Sequence, residues 1–485
     1  MEYDVIFVTG EKYFDHHLCG IAILKRLLER EDYLVAVVEQ PQSEEEIKQF
    51  GKPRLFFGIT SGGIDSMVRN YTALKRLRSE DENLNYTEKV PDRAIIVYCN
   101  WIRKNFKDSL MVLGGTEASL RRFVHYDYWD NKLRKPILLD SRADILVYGN
   151  AEKQVLEISK RVKENKDLFG IEGTCVLSKE DKEGFVSLPD FNSLDNEKFV
   201  DMQNLLSNCV NLKQKIDNRY VLQFKYPKYT SEDLDSFYSL DFSRSCPEEL
   251  RGFEFSVVTH RGCIGKCNFC SLNLIQGDRI VSRSEKSILD EVKKISKLRH
   301  FKGNIDNLGG PTANMYGMDC DKCAGSCIDC SKLNRSNKRL INLLKEIGKI
   351  VRKVYIKSGV RYDLCSDEYI KELEKYNFES IRIAPEHVNK NVLRLMNKDK
   401  GDLKNFLNKF KGKMSFYYMA AHPGCSMKEA NELKGVDISE IQIFTPTPMT
   451  NSTCMYYTGL DLNKKKIYVP YSFKEKKEQK RIILQ

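Results

Sequence analysis

His260-Arg-Gly-Cys263-Ile-Gly-Lys-Cys267-Asn-Phe-Cys270-Ser271 follows directly on the strand-like run Phe253–Val258. Its cysteines are spaced C-x3-C-x2-C in one short loop. A cubane iron–sulfur cluster has four irons, each taking one ligand beyond its sulfides, and thiolate is the usual protein donor. Three cysteines therefore hold three irons and leave the fourth with an open position. Such a vacancy is what separates a catalytic metal from a closed structural one. The alternative from the residues alone is a chance triplet, or half of a zinc site with His260 as a further ligand.

Outward from this loop, an alternating pattern begins at the same place. Strand-like runs are Phe253–Val258, Asn304–Leu308, Lys353–Lys357, Ser380–Ala384, Met414–Met419 and Glu440–Phe444. Helical periodicity fills the intervals, as in Glu285–Leu298, Lys338–Arg352 and Asp367–Tyr376. Six such units predict a partial (β/α)6 barrel, in which chemistry sits at the C-terminal ends of the strands. Those ends carry Thr259-His260-Arg261, Gly309-Gly310-Pro311-Thr312, Ser358-Gly359, Pro385-Glu386-His387, His422-Pro423-Gly424 and Thr445-Pro446. The cysteine loop after the first strand falls at the same edge.

The N-terminal part alternates too. Tyr3–Val8, Leu34–Val38, Arg54–Ile59, Ala94–Tyr98, Leu110–Leu113 and Ile145–Val147 read as strands buried on both faces, with helices such as Ile21–Glu29 and Ala151–Lys163 between them. The expectation is an α/β chain: a doubly wound, Rossmann-like domain over 1–180, then an irregular connecting segment over 181–250. The barrel follows over 251–460 with a cysteine-rich insertion at 318–332, and 461–485 reads as a basic tail.

With 485 residues the chain has room for two cores, and 41% hydrophobic with 30% charged residues is a soluble globular composition. No apolar run is long enough to cross a bilayer. The start, Met-Glu-Tyr-Asp-Val-Ile-Phe, has the wrong order for a secretory signal. Fifteen cysteines then argue for metal ligation in a reducing compartment, the cytoplasm. A net charge of +11 keeps nucleic acid open as a partner, but the lysines are dispersed over helical faces and the tail Lys474–Arg481.

The loop spacing, with Phe269 before the third cysteine, resembles the signature of the radical S-adenosylmethionine (radical SAM) enzymes. Leu308-Gly-Gly-Pro-Thr-Ala-Asn-Met-Tyr316, Ser358-Gly-Val-Arg-Tyr-Asp363, Ala384-Pro-Glu-His387 and Ala421-His-Pro-Gly424 resemble the YgiQ-type members of that superfamily. So do Ile59-Thr-Ser-Gly-Gly-Ile-Asp-Ser-Met-Val68 and Ser119-Leu-Arg-Arg-Phe-Val-His-Tyr-Asp-Tyr-Trp129. The resemblance implies a [4Fe-4S] cluster on Cys263, Cys267 and Cys270. It implies S-adenosylmethionine on the open iron, cleaved to a 5′-deoxyadenosyl radical with an electron from a donor such as flavodoxin or ferredoxin. It also marks Gly309 and Gly310 as the backbone approach to the cofactor's amino group, although Pro311 stands where a glutamate is common. Ser358, Arg361 and Glu386 become candidates for ribose or carboxylate contacts. The same three residues equally suit salt bridging at a barrel mouth, and His387 and His422 suit either proton handling or structural hydrogen bonds.

Two features leave alternatives open. Cys320-x2-Cys323-x3-Cys327-x2-Cys330 packs four thiols into eleven residues, which suits an auxiliary iron–sulfur cluster or zinc. Asp15-x-His17-x-x-Gly20, after the first strand, resembles the cobalamin-binding pattern, in which the histidine meets cobalt and the aspartate orients the ring. Cobalamin would make the reaction a radical methylation, whereas an RNA substrate would use the basic surface. A non-enzymatic iron–sulfur or zinc protein that senses redox state or binds nucleic acid is the rival class.

Overall fold

The computed structural model describes residues 2–78, 90–320, 326–376 and 378–485. Val5–Thr9, Val35–Glu39, Phe56–Thr60, Met111–Gly114 and Ile145–Val147 pair in parallel, with the first strand between the second and third. Their faces are covered by helices, among them Gly20–Arg30 and Glu152–Lys163. This is the doubly wound order, with its switch point beside the first strand.

The sheet then runs further than the sequence suggests. Thr174–Ser178, Arg219–Gln223, Leu212–Ile216 and Val186–Leu188 extend it to nine strands. The stretch 181–250, expected to be irregular, thus supplies three strands and the helices Asn196–Leu205 and Ser231–Tyr238. Two inward positions of these strands are polar, which hides their alternation. Gln214 accepts from the Val124 N–H at 2.9 Å, and Gln223 accepts from Arg122 Nε at 2.7 Å. Both glutamines are fully buried and satisfied, so an alternating strand reads as a polar segment.

Ala94–Tyr98, expected as a strand, begins the helix Ala94–Asn105. Its β-branched run is misleading. Ala94, Ile95, Tyr98, Cys99 and Ile102 are the buried positions, and that spacing covers one helical face.

The six barrel strands appear as Ser256–Val258, Asn304–Ile305 continuing as Asn307–Gly309, Lys353–Val354, Ile381–Glu386, Met414–Ala420 and Glu440–Ile443. Parallel pairing runs Val257 to Leu308, Ile305 to Val354, Val360 to Ile383, Phe416 to Ile383 and Tyr418 to Ile441. The helices Glu285–Ser296, Lys338–Gly348 and Asp367–Glu374 pack Ile288, Val292, Leu340, Leu344, Tyr369 and Leu373 into a common core with the strands.

The chain divides into two compact units that do not follow the expected boundaries. One comprises 1–228, 240–249 and 445–466; the other comprises 229–239, 250–444 and 467–485. The tail therefore splits. Helix Phe473–Ile483 belongs with the barrel, where Gln479 accepts from the Ala421 N–H and donates to the Cys425 carbonyl, each at 2.9 Å. No helix among the described residues is long and apolar enough to cross a membrane.

Candidate functional site at the barrel mouth

The cysteine loop is fixed at its entry and from below. His260–Arg261 pairs antiparallel with Val281–Ser282. Gly262, at φ +88°, lies so close to the Arg279 carbonyl that a Cβ would stand 1.7 Å from it, so only glycine makes this turn. The Cys263 N–H donates to Gly277 O at 3.0 Å, and Asn397 Nδ2 donates to Lys266 O at 2.9 Å. Asn268 donates through its backbone to Met396 O and through its side chain to Leu395 O, both at 2.9 Å. Short strands and turns thus place three thiols on one rigid loop.

Cys263 is buried, while Cys267 and Cys270 are half-buried. Burial pushes the Cys270 thiol up to about 12, and the charges of Cys267 and Cys263 act in the same direction. Thiolates placed so near one another need a polycationic partner to stay ionised, and an iron–sulfur cube is such a partner. Among the described residues, no three Cys, His, Asp or Glu side chains converge as they do around a single ion. The His260 ring is buried and sits 2.9 Å from Thr259 Oγ1 through Nδ1.

The strand ends gather around this loop. Gly310 abuts His260, and a Cβ there would lie 2.6 Å from the His260 carbonyl and 2.7 Å from its ring. Gly309 faces Ser358, whose hydroxyl would lie 3.5 Å from a Cβ. Asn307 fixes that serine: its Oδ1 accepts from the N–H groups of Lys357 and Ser358 at 2.8 and 3.3 Å. Thr312 Oγ1 is 3.7 Å from Cys263 Sγ.

Arg361 makes the salt bridge that was one of its two expected roles. Its Nε and Nη2 donate to the two oxygens of Asp363 at 3.0 and 2.7 Å, and Nη1 points to Cys267 Sγ at 3.5 Å. The fork is already occupied, so clamping a ligand carboxylate would require breaking the Asp363 pair. Glu386 ends its strand after an irregular register and adopts φ +69°, an unfavourable conformation for glutamate. Burial raises its carboxyl to about 7, against the opposing charges of Lys398 and Arg361. A buried carboxyl so shifted is a functional candidate.

His387 and His422 take structural bonds. His387 Nδ1 accepts from the Asn389 N–H at 2.9 Å, and its Nε2 lies 3.6 Å from Cys425 Sγ. His422 Nδ1 is 2.7 Å from the Pro423 carbonyl. Asp363, Asn307, Asn314 and Thr312 were not singled out in the sequence. Arg361-x-Asp363, two residues apart inside a strand-end motif, is the signal that identifies the first of them.

Of the second array, Cys320, Cys327 and Cys330 are half-buried, and Cys323 lies outside the described residues. Cys327 and Cys330 pack against the apolar cluster containing Cys263, Ile264, Ile280, Met315 and Met318. Asp319 pairs with Arg339 at 3.1 Å and Asp329 with Lys400 at 2.9 Å, so their charges are matched by neighbouring cations.

In the N-terminal unit, the Asp15 carboxylate accepts from Arg26 at 2.9 and 2.5 Å and from the Ser243 N–H at 2.8 Å. Those bonds hold its carboxyl below the usual range despite partial burial. They occupy the carboxylate that the cobalamin-binding pattern would use to orient His17. His17 is buried, 4.3 Å from the His16 ring and 6.2 Å from that of Phe242. Gly20 opens its helix with no atom near a would-be Cβ, so no close approach requires glycine there.

Comparison with known proteins agrees with this architecture. Residues 1–254 match the family described as Radical SAM N-terminal, and 257–433 match the Radical SAM superfamily. A UPF0313 protein of Methanocaldococcus jannaschii is 42% identical, over all of this chain and 89% of its own. One of Fusobacterium nucleatum is 39% identical, over 99% of this chain and 95% of its own. Among solved structures, the radical S-adenosylmethionine methyltransferase TsrM from Kitasatospora setae, with cobalamin and [4Fe-4S] cluster bound, gives a TM-score of 0.54 at 14% identity. That likeness covers 94% of this chain and 79% of TsrM. The cobalamin-dependent S-adenosylmethionine radical enzyme OxsB gives 0.50 at 11% identity, covering 94% of this chain and 55% of OxsB. These two show the fold. The relatives and both domain matches make this chain a radical SAM enzyme of the UPF0313 family.

Proposed function

We propose that the barrel mouth binds a [4Fe-4S] cluster on Cys263, Cys267 and Cys270, and S-adenosylmethionine against Gly309, Gly310, Ser358 and Glu386. The observation that carries this reading is the meeting of a three-thiol loop with glycine backbone and polar groups at the ends of six parallel strands. Bound there, the cluster supplies one electron for reductive cleavage of the sulfonium cofactor. The chain's own groups bind and orient. The Gly309–Gly310 backbone lets the chain approach the cofactor closely, while the Gly309 carbonyl also accepts from the Thr259 N–H at 2.8 Å. Ser358, held by Asn307, presents its hydroxyl. Glu386 offers an acceptor for an ammonium group, the role left open by Pro311. Ile264, Ile280, Met315 and Leu364 exclude water on the Cys263 side. The electron comes from a one-electron donor of the flavodoxin or ferredoxin class.

Anaerobic reconstitution, followed by S-adenosylmethionine and dithionite, tests the reading. Release of 5′-deoxyadenosine is expected, lost in Cys267→Ala and kept in Cys209→Ser, whose thiol is exposed in the other unit. A protein that holds iron without cleaving the cofactor overturns it in favour of a sensor.

A second reading adds cobalamin to the N-terminal sheet and makes the reaction a methylation of an unactivated carbon. It is favoured by the likeness to cobalamin-bound neighbours, whose coverage takes in that unit. The residues present fit only in part, since Asp15 is committed to Arg26 and Ser243. A cobalt count after reconstitution with hydroxocobalamin decides it, and the absence of cobalt sinks it.

A further inference from the structure

We propose that Arg361 and Asp363 form a charge pair that sets the reduction potential of the barrel-mouth cluster, with Arg361 acting as a positioning residue through the Cys267 sulfur. The inference rests on the cluster assignment above and goes beyond it.

The pair is built with more support than a salt bridge at a rim needs. Arg361 is 6% exposed. Its backbone is clamped on both sides by buried Asn314: the Arg361 N–H donates to Asn314 Oδ1 at 3.0 Å, and Asn314 Nδ2 donates to the Arg361 carbonyl at 2.9 Å. Asp363 takes the Nε–Nη2 edge with both oxygens, which leaves Nη1 directed at Cys267 Sγ. Two glycines make room for this arrangement. A Cβ on Gly265, inside the cysteine loop, would stand 2.5 Å from Arg361 Nη1. One on Gly401, at φ +74°, would stand 2.4 Å from the Asp363 Cβ. Backbone from two separate loops therefore closes on the pair without a side chain between.

Cluster potentials follow net charge, hydrogen bonds to the sulfurs and solvent exposure. Reduction adds one electron, which is drawn from the donor and raises the negative charge on the sulfurs. A guanidinium N–H beside Cys267 stabilises that added charge and raises the potential. Asp363 carries a negative charge next to the same guanidinium and restrains the effect. In a buried site neither charge is screened as it would be in water. The two residues therefore act with opposite signs on one quantity, which a merely structural role does not produce.

The test is a redox titration of the anaerobically reconstituted full-length protein, followed by electron paramagnetic resonance of the reduced cluster, with iron counted per chain. Arg361→Gln is expected to lower the potential and Asp363→Asn to raise it. Each shift is about tenfold in the reduction equilibrium, which is ~59 mV for a one-electron couple. Shifts absent in both variants, or of the same sign, overturn the proposal. Should Arg361→Gln fail to retain iron, Asp363→Asn decides alone: a higher potential supports the pair, and an unchanged or lower one removes it. A wild-type protein that assembles no cluster overturns the cluster assignment itself, and the proposal with it.

Discussion

Substitution of Gly310 by alanine tests the close approach on which the site geometry depends. The added Cβ would meet the His260 carbonyl at 2.6 Å and the His260 ring at 2.7 Å. Ordinary contact is about 3.4 Å, so His260 or the Gly309–Gly310 turn must yield by roughly 0.8 Å. His260 is fully buried and tied to Thr259 Oγ1. Two residues on, Gly262 is already against the Arg279 carbonyl, so the displacement passes into the cysteine loop. Overpacking of this kind costs about 1–3 kcal/mol. At ~2–4 °C per kcal/mol for a unit of this size, Tm should fall by roughly 2–12 °C. Thermal unfolding of the protein, with iron content after reconstitution as a second readout, measures both consequences. Gly359→Ala, where nothing lies within 4 Å of a Cβ, is the control and should stay within about 0.5 kcal/mol. Equal behaviour of the two variants refutes the packing of Gly310 on His260.

Burial holds His125 and His422 down to about 3 and His260 and His387 down to about 4, all below the ordinary 6.5. Depressed values mean these rings stay neutral when folded, so their contribution is complete above pH 6.5 and is lost as the pH falls toward 4. The unfolding free energy from urea titrations should decline from pH 6.5 to 5, by up to ~1.4 kcal/mol per pH unit for each histidine, and a flat profile counts against it. Leu344→Ala removes a fully buried side chain from the barrel core and should cost about 2–5 kcal/mol by denaturant unfolding; less than 1 kcal/mol would place Leu344 outside the core. Gln479→Leu leaves the Ala421 N–H and Cys425 carbonyl unsatisfied, at about 1–3 kcal/mol for each buried group, whereas Gln485→Leu on the exposed terminus should be neutral. Similar Tm values for these two variants would mean the terminal helix does not dock.

Much of this architecture is legible in the residues because it follows apolar patterning. The five parallel strands of the first sheet are short runs made mostly of Val, Ile, Leu and Phe, and the six barrel strands set apolar residues among polar ones, as in Ile381-Arg-Ile383 and Glu440-Ile-Gln-Ile443. The three-thiol loop carries its own signature in its spacing. Two physical features hide the rest. Buried polar residues that satisfy one another, such as Gln214, Gln223 and Arg122, erase the hydrophobic alternation that marks a strand. A β-branched run such as Ile95-Ile96-Val97 suggests a strand when burial follows helical spacing. In the site, strand-end position identified Arg361 but not its orientation. Position alone cannot show that Asp363 and Cys267 already share its guanidinium.

The precision of the cysteine loop comes from residues that the barrel pattern does not contain. Helix Ser231–Tyr238 lies before the first barrel strand in sequence yet groups with the barrel unit. Asp235 accepts from the Ser284 N–H at 3.0 Å, and Tyr238 accepts from Arg261 Nε at 3.1 Å. The Arg283 guanidinium lies 4.7 Å over the Tyr238 ring. Arg283 in turn donates to the Val258 carbonyl at 2.8 Å, at the end of the first strand, and is ion-paired with Glu291. Tyr238, Arg261 and Arg283 therefore brace the hairpin from which the loop springs. A chain cut at residue 250 would retain every strand and every thiol of the barrel while losing that brace. The thiols alone are insufficient: without the helix, the buried Arg283 loses its aromatic partner and the hairpin loses two of its tethers. The site is a property of the folded barrel unit together with the helix Ser231–Tyr238, and the short signature marks its location.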